Sequence, residues 1–115
     1  MAALQTIGEC FRWEFGALWL ANLDSSTAQC SVVWRSQAAD LAGLEVASRT
    51  MNPRLGAELI GRVWNQREAI WVPDVLREAD FLRRRSVMRS AVHGWFAFPV
   101  REAASVVGAV EFFSQ

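Results

Sequence analysis

Lysine is absent from this 115-residue sequence, so all twelve basic residues are arginine, and they balance twelve acidic residues to a formal charge of zero. A chain with no net positive field lacks the long-range attraction that gathers phosphates by counterion release, which argues against nucleic acid as a partner. Cysteine is scarce too: Cys10 and Cys30 are too few for a disulfide scaffold and lack the clustered spacing of a zinc site, so they read as reduced, packed thiols. No apolar run approaches the roughly 20 residues that cross a bilayer, and the N-terminal stretch has no basic region followed by an apolar signal core. The expectation is a soluble, cytoplasmic protein without membrane insertion.

What the sequence has is apolar and aromatic mass. It is 52% hydrophobic and 21% charged, with six Trp and seven Phe, enough to build a core and inconsistent with disorder. The length fits one domain spanning residues 1–115 and leaves no room for a second.

Leu4, Ile7, Phe11 and Phe15 recur at helical spacing, predicting an amphipathic helix that ends near Gly16. Residues 17–21 and 27–34 read as strands joined by a turn at Asn22-Leu23-Asp24-Ser25-Ser26. Simple alternation in the second strand places Ala28, Cys30, Val32 and Trp34 on one face, opposite Gln29, Ser31 and Arg35. Residues 38–48 are weakly helical, Asn52-Pro53 breaks the pattern, and a mobile connection is expected from Thr50 to Gly56. Residues 58–65 form a short helix candidate and 69–72 a strand stopped by Pro73-Asp74, while Asp80 is placed to cap a helix over 81–90. Residues 95–100 and 105–113 complete a second hairpin around Arg101-Glu102-Ala103-Ala104. Hairpins mixed with helices, rather than regular βαβ units, predict an α+β fold with helices packed on an antiparallel sheet.

Gly61-Arg62-Val63-Trp64, Trp71-Val72-Pro73-Asp74-Val75-Leu76, Phe81, Arg83, His93-Gly94-Trp95-Phe96-Ala97-Phe98-Pro99-Val100 and Val107-Gly108-Ala109-Val110-Glu111-Phe112-Phe113 occur in an order and spacing that resembles the GAF family, in particular GAF modules of bacterial sensor histidine kinases and diguanylate cyclases. The resemblance covers nearly the whole chain. It implies a PAS-related, six-stranded antiparallel sheet with flanking helices, a ligand cavity, and a further helix leading to an output domain, so that the chain is expected to be a fragment of a larger protein. Two positions depart from the family's usual pattern: Glu58 stands where the middle glycine of a Gly-x-Gly-Leu-x-Gly run is common, and Ala91 stands where glycine is common.

Within that family, covalent bilin attachment uses a Cys followed by His, whereas Val92 precedes His93 here; the cyclic-nucleotide signature contains Asn-Lys, and this chain has no Lys. The free methionine sulfoxide reductases of the same fold rely on several Cys around the pocket, a set that two distant thiols do not reproduce. His93, the only histidine, has three readings: a structural hydrogen bond, a pocket contact, or a haem ligand. Asp74, Glu78 and Asp80, with Arg77 and Arg83, suit a solvated loop and a helix cap better than acid–base work, and no nucleophile and base pair is visible. Arg83, Arg84, Arg85 and Arg89 read by default as a hydrated face, with an anion-facing or partner-facing patch as the alternative.

Trp19, Trp34, Trp64, Trp71 and Trp95 fall in or beside sheet and pocket elements, where core packing and reception of a flat ligand compete. The ligand-binding candidates are Trp34, Trp64, Trp71, His93 and Phe96, with Trp64 and Trp71 flanking the entry to the third strand. No catalytic or metal-binding residue is assigned and the cofactor is left unknown. The expected function is a non-enzymatic sensory domain that binds a small molecule, forms a homodimer through its first helix, and relays to a kinase or cyclase output domain. The alternative is a ligand-free dimerisation and relay module.

Overall fold

The computed structural model describes residues 2–11, 13–36 and 40–115. The order is α1 (Ala2–Phe11), β1 (Phe15–Asn22), β2 (Thr27–Arg35), α2 (Ala42–Thr50), α3 (Glu58–Gln66), β3 (Ile70–Val72), a 3-10 turn (Val75–Arg77), α4 (Arg84–Ser90), β4 (Gly94–Glu102) and β5 (Ser105–Ser114). Both expected hairpins form, and the strands make one antiparallel sheet in the order β2-β1-β5-β4-β3.

That sheet has five strands rather than the expected six. Among the described residues, the nearest approach to a sixth is the segment after α2, where Pro53 O accepts from Ala28 N at 2.9 Å and Leu55 N donates to Ser26 O at 3.0 Å. Only a single bridge, Thr27 with Arg54, forms there. Pro53 has no N–H with which to extend a ladder. The connection expected to be mobile is therefore fastened to the start of β2.

Three further expectations are corrected. Phe15 and Gly16 belong to β1, not to the end of the first helix. Gly16 serves close packing instead of termination, since an added Cβ would lie 2.9 Å from the Phe112 ring. Leu4 and Cys10 carry side chains outside the described set, as do Ala38 and Ala39 of the expected second helix. In β2 the shared face is split by a bulge: Leu18 pairs with Val32 but Trp19 pairs with Cys30, so Ser31 is the extra residue. A bulge inverts the alternation beyond it, leaving Ala28 and Cys30 in the core under the helices and Val32 and Trp34 in the cluster on the opposite face. Finally, α4 begins at Arg84, so its N-cap position falls on Arg83, which makes no side-chain cap bond, and Asp80, the carboxylate expected there, lies three residues earlier and pairs with Arg62 at 2.8 Å. Asp74 does act as a cap, accepting from Leu76 N at the 3-10 turn.

The sheet separates two apolar clusters. On one face Phe15, Trp19, Trp95 and Phe113 meet Leu44 of α2, Leu59, Ile60 and Val63 of α3, and Val87 of α4. On the other, Val110 and Phe112 meet Leu18, Val32, Trp34, Phe98 and Val100, with Ile7 and Trp13 laid over them. Each fully buried Phe or Leu contributes about 1.5–3 kcal/mol of hydrophobic stabilisation. The first face is sealed, and the second is only partly covered.

Candidate functional site

Beneath the helices the sheet carries charge where an apolar core would be expected. Glu111, in the middle of β5, is fully buried and so is Glu58, while Arg83 is 2% exposed. Arg83 Nη1 and Nη2 donate to the two oxygens of Glu111 at 2.6 and 2.9 Å, a bidentate pair. The indoles of Trp19 and Trp95 each donate to the same carboxylate at 2.7 Å. Arg83 also reaches Glu58 at 3.3 and 3.4 Å and Ser48 Oγ at 3.1 Å, and lies 5.2–5.5 Å from the ring centroids of Phe113, Phe81 and Trp19. Burial alone would disfavour the guanidinium charge, but Glu111 and Glu58 outweigh it and hold Arg83 above its ordinary pKa. In one cluster α2, α3, the approach to α4, and strands β1, β4 and β5 are tied together.

Glu58 reaches this position at a conformational cost. Its φ is +59°, a left-handed geometry that favours glycine, and Ala91 after α4 has φ +58°. These are the two positions that depart from the glycines common in the pattern the sequence resembles. At Glu58 the strain is offset by bonds that glycine cannot make, to Arg83 and from Ile60 N at 3.1 Å.

The uncovered face holds a groove of about 330 Å³ lined by Ile7, Phe11, Trp13, Trp71, Phe96, Phe98 and Phe112, all apolar and all but one aromatic. Trp13 stands 5.8 Å from Trp71, 6.3 Å from Phe96 and 5.7 Å from Phe112, centroid to centroid. Trp71 is 60% exposed and Phe11 71%. Alternation places these rings: Ile70 and Val72 turn into the helix-covered core while Trp71 between them turns outward, and Trp95 and Ala97 turn inward while Phe96 and Phe98 face the groove.

The sequence candidates are thus distributed over three places. Trp71 and Phe96 come together in the groove at 5.8 Å. Trp34 lies on the same face, packed against the Val110 and Phe112 cluster. Trp64 is on α3 across the sheet, lining a separate cleft of about 300 Å³ with Leu23, Leu55, Asn65, Arg67 and Val106. His93 sits before β4, its backbone N–H donating to Ser114 O at 2.8 Å and its carbonyl accepting from Val75 N at 2.9 Å. Its Nδ1 is enclosed and lies 3.7 Å from Asp74 Oδ1. Trp64 and Trp71 do not share a pocket.

The arginine run is not a uniform hydrated face. Arg83 is core, Arg84 donates to the carbonyls of Leu76 and Glu78, and Arg85 and Arg89 are exposed. Arg62 bridges Glu78 and Asp80 at 2.7 and 2.8 Å; burial opposes its charge, but these two carboxylates raise its pKa overall. Cys30 is buried, and burial, aided by the Glu111 charge, pushes its thiol up to about 11, which makes it a poor nucleophile near neutrality. Among the described residues no three His, Cys, Asp or Glu side chains are grouped to hold a metal ion.

No family model matches the sequence, and no curated protein matches it. Solved structures do. The GAF domain of a phosphoenolpyruvate-protein phosphotransferase from Coxiella burnetii superposes with a TM-score of 0.76 at 15% identity, over 97% of this chain and 62% of that one. The chain has a GAF-like fold. A nitrate-site mutant of NreA from Staphylococcus aureus gives a TM-score of 0.75 at 17% identity, over 99% of this chain and 81% of that one. A free methionine-R-sulfoxide reductase from Neisseria meningitidis gives 0.74 at 15% identity, over 98% and 59%. This GAF-like chain therefore spans about three fifths of the length of the first and third of these structures. Because the reductase shares the fold, GAF-like architecture alone does not decide between a binding module and an enzyme. Among the described residues no helix is long and apolar enough to cross a membrane.

Proposed function

We propose that this chain is a sensory binding module rather than an enzyme, that it takes a flat, apolar small molecule into the groove between α1 and strands β3 and β4, and that α1 relays occupancy to a kinase or cyclase output domain in a longer protein. The observation that carries the reading is the groove itself, with a volume near 330 Å³ and six aromatic rings around it. That volume lies at the small end of ligand pockets, and mostly apolar linings are typical of them. The structures named above lend support through the GAF domain of the phosphotransferase and the nitrate-binding site of NreA. In this reading the ligand contacts are Trp71 and Phe96 together with Trp13, Phe98 and Phe112, which line the groove, whereas Trp34, Trp64 and His93 lie outside it. Since Ile7 and Phe11 form one wall, an occupant touches α1 directly.

A thermal-shift screen of planar heterocycles, followed by tryptophan fluorescence of Trp13→Phe and Trp71→Phe variants, tests this. Binding should raise the melting temperature with the logarithm of free ligand, and the spectral change should vanish in one of the two variants. Ligands that respond only through Trp64 would refute the site.

One observation favours a second reading, a ligand-free dimer through α1: Phe11 and Trp71 leave adjoining apolar surface open. In that case Phe11→Glu shifts a sedimenting dimer to monomer, and no compound alters the melting temperature.

A further inference from the structure

The Glu111 carboxylate is surrounded as a bound ligand would be. Each oxygen accepts one indole N–H and one guanidinium N–H, four donors at 2.6 to 2.9 Å. The donors come from three separate elements, Trp19 on β1, Trp95 on β4 and Arg83 ahead of α4. Trp19 and Trp95 are fully buried, and the Arg83 side chain is 1% exposed. Indole N–H groups are pure donors, and both are taken up by the Glu111 carboxylate. The other side chains at the cluster, Glu58 and Ser48, bond Arg83 from its remaining sides and leave Glu111 as the acceptor for both indoles.

We infer that Trp19, Trp95 and Arg83 form a receptor for a planar carboxylate-class anion, and that Glu111 is its covalently tethered occupant. The helix-covered side of the sheet is then closed by the chain's own ligand, and a free carboxylate takes the position when that side chain is removed. Truncation of Glu111 to alanine removes a CH2–COO− group, which is isosteric with acetate. Arg83 keeps Glu58 as its counter-charge and Ser48 as an acceptor in that variant, so the vacated site retains a guanidinium and two indole donors aimed at one point.

The test is chemical rescue of Glu111→Ala in the full chain. Its melting temperature is followed as acetate or formate replaces chloride at constant ionic strength, with methanesulfonate as a tetrahedral monoanion of equal charge. The expected result is a saturable rise of roughly 5–10 °C in acetate and formate, absent in methanesulfonate. Wild type and Glu111→Gln, whose side chains fill the site, should not respond. If Glu111→Ala does not fold in chloride, the same comparison is made by refolding from urea, where recovery of a cooperative transition in acetate but not in methanesulfonate supports the inference. A variant that ignores acetate and formate in both formats, or that responds equally to every anion, overturns it.

Discussion

Arg83→Met is the sharpest test of the buried cluster. Methionine preserves much of the volume but leaves Glu58 and Glu111, both fully buried, without their cation. Arg83 gives up five hydrogen bonds, two to Glu111, two to Glu58 and one to Ser48. Removing one partner of a buried ion pair costs about 3–5 kcal/mol, because the remaining charge is stranded. A domain of this size has about 5–15 kcal/mol in total, so the variant loses a large share and melts at least about 12 °C lower. Urea unfolding followed by circular dichroism and tryptophan fluorescence gives the number. Arg84→Met, which loses two bonds to carbonyls, should cost about 1–2 kcal/mol, and exposed Arg85→Met should stay within about 0.5 kcal/mol of wild type. In a double-mutant cycle, Arg83→Met and Glu111→Gln together should cost well under the sum of the two, because neutralising the carboxylate relieves the stranded charge. A loss under about 1 kcal/mol for Arg83→Met, or additivity within about 0.5 kcal/mol, refutes the assignment of Arg83 as the counter-charge of Glu111.

Ala91→Gly should stabilise the protein by about 1 kcal/mol, since glycine is unstrained at φ +58°; the check is a higher urea midpoint at unchanged slope. Glu58→Ala should be worse than Glu58→Gly by about 1 kcal/mol, because both lose the Arg83 contact but only alanine retains the strain at φ +59°. Gly61→Ala should cost about 1–3 kcal/mol, as an added Cβ would overlap the Arg54 carbonyl, and its thermal midpoint should fall accordingly. For Cys30, folding raises the thiol pKa from 9.0 to about 11, so its contribution is complete below pH 9 and is lost as pH rises towards 11. The loss is about 2–3 kcal/mol; Cys30→Ala in a Cys10→Ala background should remove that part of the alkaline slope in unfolding experiments.

Both hairpins, the strand stopped at Pro73 and the general position of α3 are legible because they rest on local signals, apolar alternation bounded by turn residues. The two faces of β2 were not, since a bulge at Ser31 inverts alternation and is fixed by pairing with β1 rather than by β2 itself. Asp80 looks like a cap in one dimension, but Arg62, eighteen residues earlier, takes its carboxylate in three. Arg83 is the most instructive miss. In the sequence it is one of three consecutive arginines, and only the meeting of β5, α3 and α4 singles it out as buried. A signal was nevertheless present: Glu58 and Ala91 occupy positions where the GAF-like pattern has glycine, and both are held at positive φ. A residue that accepts such strain has a compensating contact to be sought, and at Glu58 that contact is Arg83. For the groove, alternation shows that Trp71 and Phe96 are flanked by residues of opposite facing, but it does not say which face the helices cover. The contribution of Trp13 depended on where the chain turns between α1 and β1.

The two faces of the sheet bear on the proposed relay together. Groove residues Phe96 and Phe112 are chain neighbours of Trp95 and Glu111, which point the other way into the ionic cluster. β5 is thereby pinned from behind by the Arg83 bonds to Glu111 at 2.6 and 2.9 Å, and β4 by the Trp95 bond to the same carboxylate at 2.7 Å, while the described side chains of α1 meet the sheet through apolar contacts of Ile7 and Phe11. Apolar contacts are non-directional and tolerate sliding, whereas a bidentate pair with two indole donors does not. An occupant that widens the groove therefore meets a stiff wall on the strand side and a yielding one on the helix side. In the proposed mechanism the displacement falls on α1, and loosening the cluster redirects it: in Arg83→Met the strands give way as well, so ligand binding there should move Trp95 fluorescence, which in the wild type stays silent.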